Sequence, residues 1–308
     1  MNWLGWQIDY LLLLQNFRDA SGHVFDNFFL HVTTFGEVVI PMLFICAIYW
    51  CVNKNAGVYI LWNYMIGFIV NLFLKCTACI YRPWILDSRI HPIESAMPAA
   101  TGYSFPSGHT AGAVSVWGSS AVVFWKNKFV RYVGILLVLL IAFSRNYIGV
   151  HTPQDVIVSL FVGIFLLWVT KKIIEWGEKG NRDILLVSVV SLISILVLVY
   201  VNLKGYPSDC LCGKRLFDPS SVKFDAFGRV GSIIGVMSGW VLEKRFVNFE
   251  AGKGSIAGKV LRFGVGVGVL YLLYSFDTAL KSLMFVKYFV SGLFITYIYP
   301  YIMSKRYF

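Results

Sequence analysis

Charge is scarce in this chain: Asp, Glu, Lys and Arg make up 14% of 308 residues, and 16 acidic side chains stand against 27 basic ones. So little charge excludes a soluble globular protein of this length. Carboxylates are also too few for a magnesium or zinc cage in the region of interest below, where only Asp87 and Glu94 fall between Lys75 and Asp155. The six cysteines form no disulfide framework. Cys46 and Cys51 read as small buried hydrophobes, and the Cys76/Cys79 pair has no second ligand pair for a metal. A bridge between Cys210 and Cys212 would be strained. Outside the membrane ends no basic stretch interleaved with aromatics is present, so nucleic acid is not an expected partner. The start lacks the basic region and small-residue cleavage site of a signal peptide, and Asp9 interrupts it.

What the chain does have is apolar length. Hydrophobic residues make up 57%, mean hydropathy is +0.68, and several apolar runs reach about 20 residues, enough to cross a bilayer as helices. The fold class expected is all-α, a polytopic membrane helical bundle. About nine spans are expected, near 28–52, 56–75, 107–125, 129–149, 153–173, 183–203, 222–242, 260–277 and 281–303. Before them, Trp3, Leu4, Trp6, Tyr10, Leu11, Leu13, Leu14 and Phe17 alternate with Gln7, Asp9, Gln15 and Arg18 over too few residues to span, which suggests an interfacial helix. The division expected is 1–24 as that helix, 25–180 as a membrane core, and 181–308 as accessory spans.

With the first span starting outside, about fifteen of the 27 basic residues fall on the inner side, among them Lys126, Lys128, Arg131, Lys171, Lys172, Lys244, Arg245, Lys305 and Arg306. This orientation leaves Lys75, Arg82 and Arg145 on the extracytoplasmic side, where an anionic ligand would account for them. The net charge of +11 then follows from topology and ligand together.

Three short patches lie at span ends on that side. In the first, Lys75 and Arg82 are seven residues apart, about two helical turns, and Pro83 is expected to stop the helix. Such cations often just meet lipid headgroups, but fixed donors are also what a phosphate dianion needs on leaving water. In the second, Pro106-Ser107-Gly108-His109 opens a span with Ser107 as N-cap. Gly108 leaves the first backbone N–H groups open to an anion, and His109 would stand beside it. In the third, Ser144 and Arg145 precede His151, Thr152, Pro153 and Asp155. Thr152-Pro153-Gln154-Asp155 reads as a capping box, and the same carboxylate can hold one nitrogen of His151 so that the other presents a lone pair.

Three fixed cations, two imidazoles and one carboxylate suffice to attack a phosphate ester. The pattern K-x6-R-P, P-S-G-H and S-R-x5-H-x3-D resembles the signature of the type 2 phosphatidic acid phosphatases, also called lipid phosphate phosphatases, over residues 75–155. The resemblance implies a membrane phosphatase without cofactor or metal, acting on a lipid phosphate at the cell membrane. It implies His151 as a nucleophile forming phosphohistidine, Asp155 as its orienting partner, and His109 as the general acid. Lys75, Arg82, Ser107, Gly108, Ser144 and Arg145 would bind the phosphate.

Chain length after residue 204 departs from compact family members and is similar to the layout of glucose-6-phosphatase. A sugar-phosphate phosphatase and a lipid phosphotransferase are therefore alternatives, with a transporter as the non-enzyme rival. A transporter would place its polar groups at mid-bilayer, whereas here they cluster at one edge. Elsewhere, Asp225 and Arg229 are expected to pair, intramembrane Glu37 needs a partner or a place beside the site, and Gly264, Gly266 and Gly268 suggest close helix packing.

Overall fold

A computed structural model describes residues 4–211 and 214–305; Trp3, Cys212 and Arg306, which entered the expectations above, lie outside the described residues. Among the described residues the regular structure is helical apart from a short β-ladder pairing Cys210–Leu211 with Lys214–Arg215. The helices in order are α1 (Gly5–Ala20), α2 (Asp26–Thr34), α3 (Val39–Ala47), α4 (Lys54–Ala78), α5 (Pro83–Leu86), α6 (Gly108–Ala113), α7 (Ser119–Val123) and α8 (Lys128–Tyr147). They continue as α9 (Pro153–Lys179), α10 (Asp183–Leu203), α11 (Pro219–Phe246), α12 (Ile256–Ser275), α13 (Lys281–Leu293) and α14 (Tyr299–Lys305). Single π-helical turns follow α3, α6 and α13; those after α6 and α13 run on into α7 and α14, whereas the one after α3 ends at the extended Asn53.

Six helical segments among the described residues are long and apolar enough to cross a bilayer, and α2 with α3 makes a seventh if that bent pair counts as one span. The most apolar of them, α10, leaves Leu185, Leu192, Ile193, Leu196 and Leu203 exposed. A soluble protein would bury such a face; here lipid is the solvent that tolerates it.

Two compact units divide the chain: Met1–Pro41, Val70–Leu166 and Gly205–Ser221 form the first, and Met42–Ile69, Leu167–Lys204 and Val222–Phe308 the second. The first unit carries all three patches. Within it α8 packs on the α6–α7 segment through Gly134, where an added Cβ would lie 2.6 Å from the Trp117 carbonyl oxygen. Phe29 of α2 meets Tyr147 and Phe143 of α8 at 4.3 and 5.4 Å between ring centroids. In α1 the inward face carries polar groups. Gln7 bonds Gln154, Gln15 donates to the Arg89 carbonyl, and Arg18 donates to the His91 carbonyl at 2.8 Å, so this helix pins the loop after α5.

In the second unit, close packing falls on a stripe that the glycine-rich reading of α12 did not pick. Gly231, Gly235 and Gly239 of α11 lie against Phe285, Phe289 and Thr296, with no room for a Cβ at any of the three. Of Gly264, Gly266 and Gly268 in α12, Gly266 is close-packed, against Trp50 and Tyr299, whereas Gly264 and Gly268 face open space. Asp225 and Arg229, expected to pair, stand within electrostatic reach of each other without a direct ion-pair contact among the described residues, and the Arg229 guanidinium also sits 5.2 Å over the Phe68 ring.

Candidate active site

Proline, cap and turn chemistry bring the three patches together. Pro83 begins a helix instead of ending one: α4 stops at Ala78, Cys79 adopts a left-handed φ of 50°, and Arg82 caps α5 with Pro83 at its first position. Lys75 and Arg82 therefore do not share one helix face. They converge because both reach the segment 101–104: Lys75 donates to the carbonyls of Tyr103 and Ser104, and Arg82 to those of Thr101 at 2.7 Å and Gly102 at 3.1 Å.

Ser107 caps α6 as expected, with its hydroxyl accepting from Thr110 N at 3.4 Å. Two bonds then tie this helix start to α9: Ser107 N donates to the Asp155 carbonyl at 3.0 Å, and Ser159 Oγ donates to the Ser107 carbonyl at 2.9 Å. The second and third patches are thus one hydrogen-bonded piece.

At the start of α9 the capping box and the imidazole share one oxygen. Asp155 Oδ2 accepts from Thr152 N at 2.9 Å and lies 3.2 Å from His151 Nδ1, while Thr152 Oγ1 accepts from Asp155 N at 3.4 Å. Ser104 Oγ also donates to this oxygen. On the other side of the ring, Arg82 Nη1 stands 3.0 Å from His151 Nε2. A guanidinium has only hydrogens to offer, so Nε2 must accept and Nδ1 must carry the proton toward Asp155. Asn146 Nδ2 holds the His151 carbonyl at 2.8 Å and fixes the backbone beneath.

His151 is 2% exposed. Burial, and after it the charges of Arg82, Arg145 and Lys75, pushes its pKa well below that of an ordinary histidine, so the ring is neutral at neutral pH. Below about pH 6.5 the unfolded chain takes up a proton at this residue that the folded chain refuses, so stability should fall as pH drops from there. Thermal denaturation in detergent between pH 8 and 5 checks this: His151→Gln should flatten the acid slope, and parallel slopes would contradict it.

Arg145 and His109 differ from the rest. Arg145 is 1% exposed, with Nη1 donating to Thr33 Oγ1 at 2.6 Å, while its Nε and Nη2 are buried without a hydrogen-bond partner. His109 Nε2 is likewise buried and unbonded, with Glu37 Oε1 3.8 Å away. A buried donor left unpaired costs on the order of 1–3 kcal/mol, and the oxygens of an incoming phosphate are acceptors that would recover it. Both side chains lie close enough to His151 to act on its charge. Gly108 lets an anion approach the α6 start, since an added Cβ would find only Asn71 Oδ1 at 3.7 Å. Ser144 is less available: its hydroxyl proton is committed to the Ile141 carbonyl at 2.7 Å. Among the described residues no group of three or more His, Cys, Asp or Glu side chains is placed to hold a metal ion.

Sequence reasoning missed Ser104, Thr33 and Asn146. Ser104 stands just before the Pro106 motif and Asn146 just after Arg145, but nothing in either local pattern marks which hydroxyl or amide will face a carboxylate or carbonyl. Thr33 sits more than a hundred residues from its guanidinium partner.

The chain belongs to the PAP2 superfamily: the PAP2 superfamily profile matches residues 56–179, and the PAP2 superfamily phosphatase transmembrane extension matches residues 227–306. It is an integral membrane phosphatase with several spans. Undecaprenyl-diphosphatase BcrC of Bacillus subtilis is 27% identical over 46% of this chain and 72% of its own length. Glucose-6-phosphatase catalytic subunit 1 of Haplochromis nubilus is 24% identical over 98% of this chain and 96% of its own. Phosphatidylglycerophosphatase B of Bacillus subtilis is 28% identical over 33% and 52%. No solved structure matches this chain.

Proposed function

We propose that this chain hydrolyses the terminal phosphate of a lipid phosphate or diphosphate through a phosphohistidine on His151, without a metal. The observation that carries the reading is the His151 ring held between Asp155 and Arg82 with Nε2 as acceptor, close to buried donors of Arg145 and His109 that lack partners. Arg82 Nη1 turns from Nε2 to a phosphoryl oxygen as the phosphate enters, the freed Nε2 lone pair attacks phosphorus, the ester P–O bond breaks, and His109 gives its proton to the leaving oxygen. His109 then takes a proton from water, whose oxygen attacks phosphorus and returns the P–N electron pair to Nε2. Arg145 supplies Nε–H and Nη2–H as a fork for two phosphoryl oxygens, with Lys75, Arg82, Ser107, Gly108 and Ser144 around the same anion.

The proposal extends to topology: nine spans, formed by the six long segments, the α2–α3 pair, the α6–α7 segment and α11, with the site on the extracytoplasmic face of the cell membrane. The basic residues at the opposite span ends support that orientation. The division at 1–24, 25–180 and 181–308 belongs to the same proposal; the gap between the two family matches, 56–179 and 227–306, supports its break after residue 180.

A second reading, a sugar-phosphate phosphatase, is favoured by the match to glucose-6-phosphatase catalytic subunit 1 along 98% of this chain. Phosphate release by purified protein in EDTA, compared across phosphatidate, phosphatidylglycerol phosphate, sphingoid phosphate, an isoprenyl diphosphate and glucose 6-phosphate, tests both. A lipid substrate should be hydrolysed fastest. Hydrolysis confined to glucose 6-phosphate selects the second reading, and activity that returns only with added magnesium contradicts the metal-free mechanism.

A further inference from the structure

The bend between α2 and α3 lies before residue 56, where the family match begins, yet it reaches two of the site's side chains. Thr33, the next-to-last residue of α2, accepts from Arg145. Four residues on, Glu37 Oε1 stands 3.8 Å from His109 Nε2, with the Glu37 side chain 40% exposed and that of His109 14%. The approach is built in. Trp117 Nε1 donates to the Phe35 carbonyl at 2.8 Å, and at Gly36 a Cβ would lie 2.8 Å from Ile141 Cγ2 and 3.0 Å from the His109 carbonyl oxygen. Only glycine lets this segment lie flat on His109.

Burial acts first against a positive charge on the His109 ring, the cations Arg145 and Arg82 act with it, the His151 ring lies within electrostatic reach, and Glu37 is a carboxylate that acts the other way. Two fixed guanidinium charges oppose a third positive charge on a buried ring, whereas a carboxylate at 3.8 Å favours it. A leaving-group acid must start each cycle protonated. We propose that Glu37 is the positioning residue of His109, holding its imidazolium charge against the neighbouring guanidinium groups so that a proton is ready for the leaving oxygen. The inference rests on the reading of His109 as the acid. Glu37 itself touches neither substrate nor phosphorus, and its distance from Nε2 leaves that nitrogen free to donate.

The test compares Glu37→Gln with wild type on an alkyl phosphate and on nitrophenyl phosphate, whose leaving group needs little protonation. On the alkyl ester kcat should fall about ten- to a hundredfold with KM changed less than about threefold, and the basic limb of the pH–rate profile should move down by about one pH unit. On the aryl ester the loss should stay below about threefold. In a His109→Ala background Glu37→Gln should cost nothing further. Equal losses on both esters, an unmoved limb, or additive losses in the double variant would overturn the proposal. If Glu37→Gln does not fold, Glu37→Asp, which keeps the charge one methylene further away, should show a smaller shift of the same limb, and a rate loss with the limb unmoved overturns it equally. His109→Ala alone separates the two levels: equal loss on both esters there removes the acid role of His109, whereas leaving-group dependence there without any effect of Glu37→Gln removes only Glu37.

Discussion

His151→Ala lowers phosphate release by about 10⁴-fold or more while the protein still folds, because the atom that would form the bond to phosphorus is gone and nothing nearby replaces it. His109 carries the other imidazole, but it is the residue of the α6 start, and Arg82, Lys75 and Arg145 have no lone pair to offer. Folding should survive because the capping box closes without the ring: Asp155 Oδ2 keeps Thr152 N and Ser104 Oγ. The measurement is single-turnover phosphate release beside a thermal midpoint in the same detergent. Residual activity within about tenfold of wild type, with an unchanged midpoint, would take the nucleophile away from His151.

Arg145 gives the second large effect, and here activity and stability should move apart. Its Nε and Nη2 are buried without protein partners, an arrangement that costs stability and that two phosphoryl oxygens accepting from them would repay. Arg145→Lys keeps a charge but loses the planar fork, so kcat/KM should fall by about 10²- to 10³-fold, or about 3–4 kcal/mol. Arg145→Met, which removes the buried charge while filling similar volume, should be inactive yet melt at the same temperature as wild type or above it. A drop of several degrees in Arg145→Met would assign the guanidinium a structural task through Thr33 instead.

The parts of this molecule that local chemistry dictates were legible in its residues. Apolar runs marked α4, α8, α9, α10, α12 and the α13–α14 segment, since a bilayer leaves the backbone no other way to satisfy its hydrogen bonds. Ser107 and Thr152 were readable as caps because capping depends on the next three residues alone. His151 and Asp155 sit four apart across a helix start, so their contact too is local. What could not be read is set by distant packing. The convergence of Lys75 and Arg82 depends on carbonyls of residues 101–104, not on a shared helix, and Ser104 and Thr33 acquire meaning only when distant segments meet; Glu37 is readable as a carboxylate that needs a partner, but not that His109 stands beside it. The glycines repeat this lesson: spacing in α12 suggests close contact at Gly264, Gly266 and Gly268, but of these Gly266 alone makes it, and the longer stripe lies on α11. Glycine spacing reports the opportunity for close packing, and the neighbour decides whether it is used.

The central claim is a covalent bond between phosphorus and His151 Nε2. Rapid mixing of the enzyme with substrate carrying ³²P in its terminal phosphate, quenched in alkali within one turnover and digested to peptides, tests it most directly. The account predicts alkali-stable, acid-labile label on the peptide that contains His151, absent from His151→Ala and longer-lived in His109→Ala, where no base activates the water. Label passing straight to inorganic phosphate with none on protein at any time, or label resting on another residue, would contradict it.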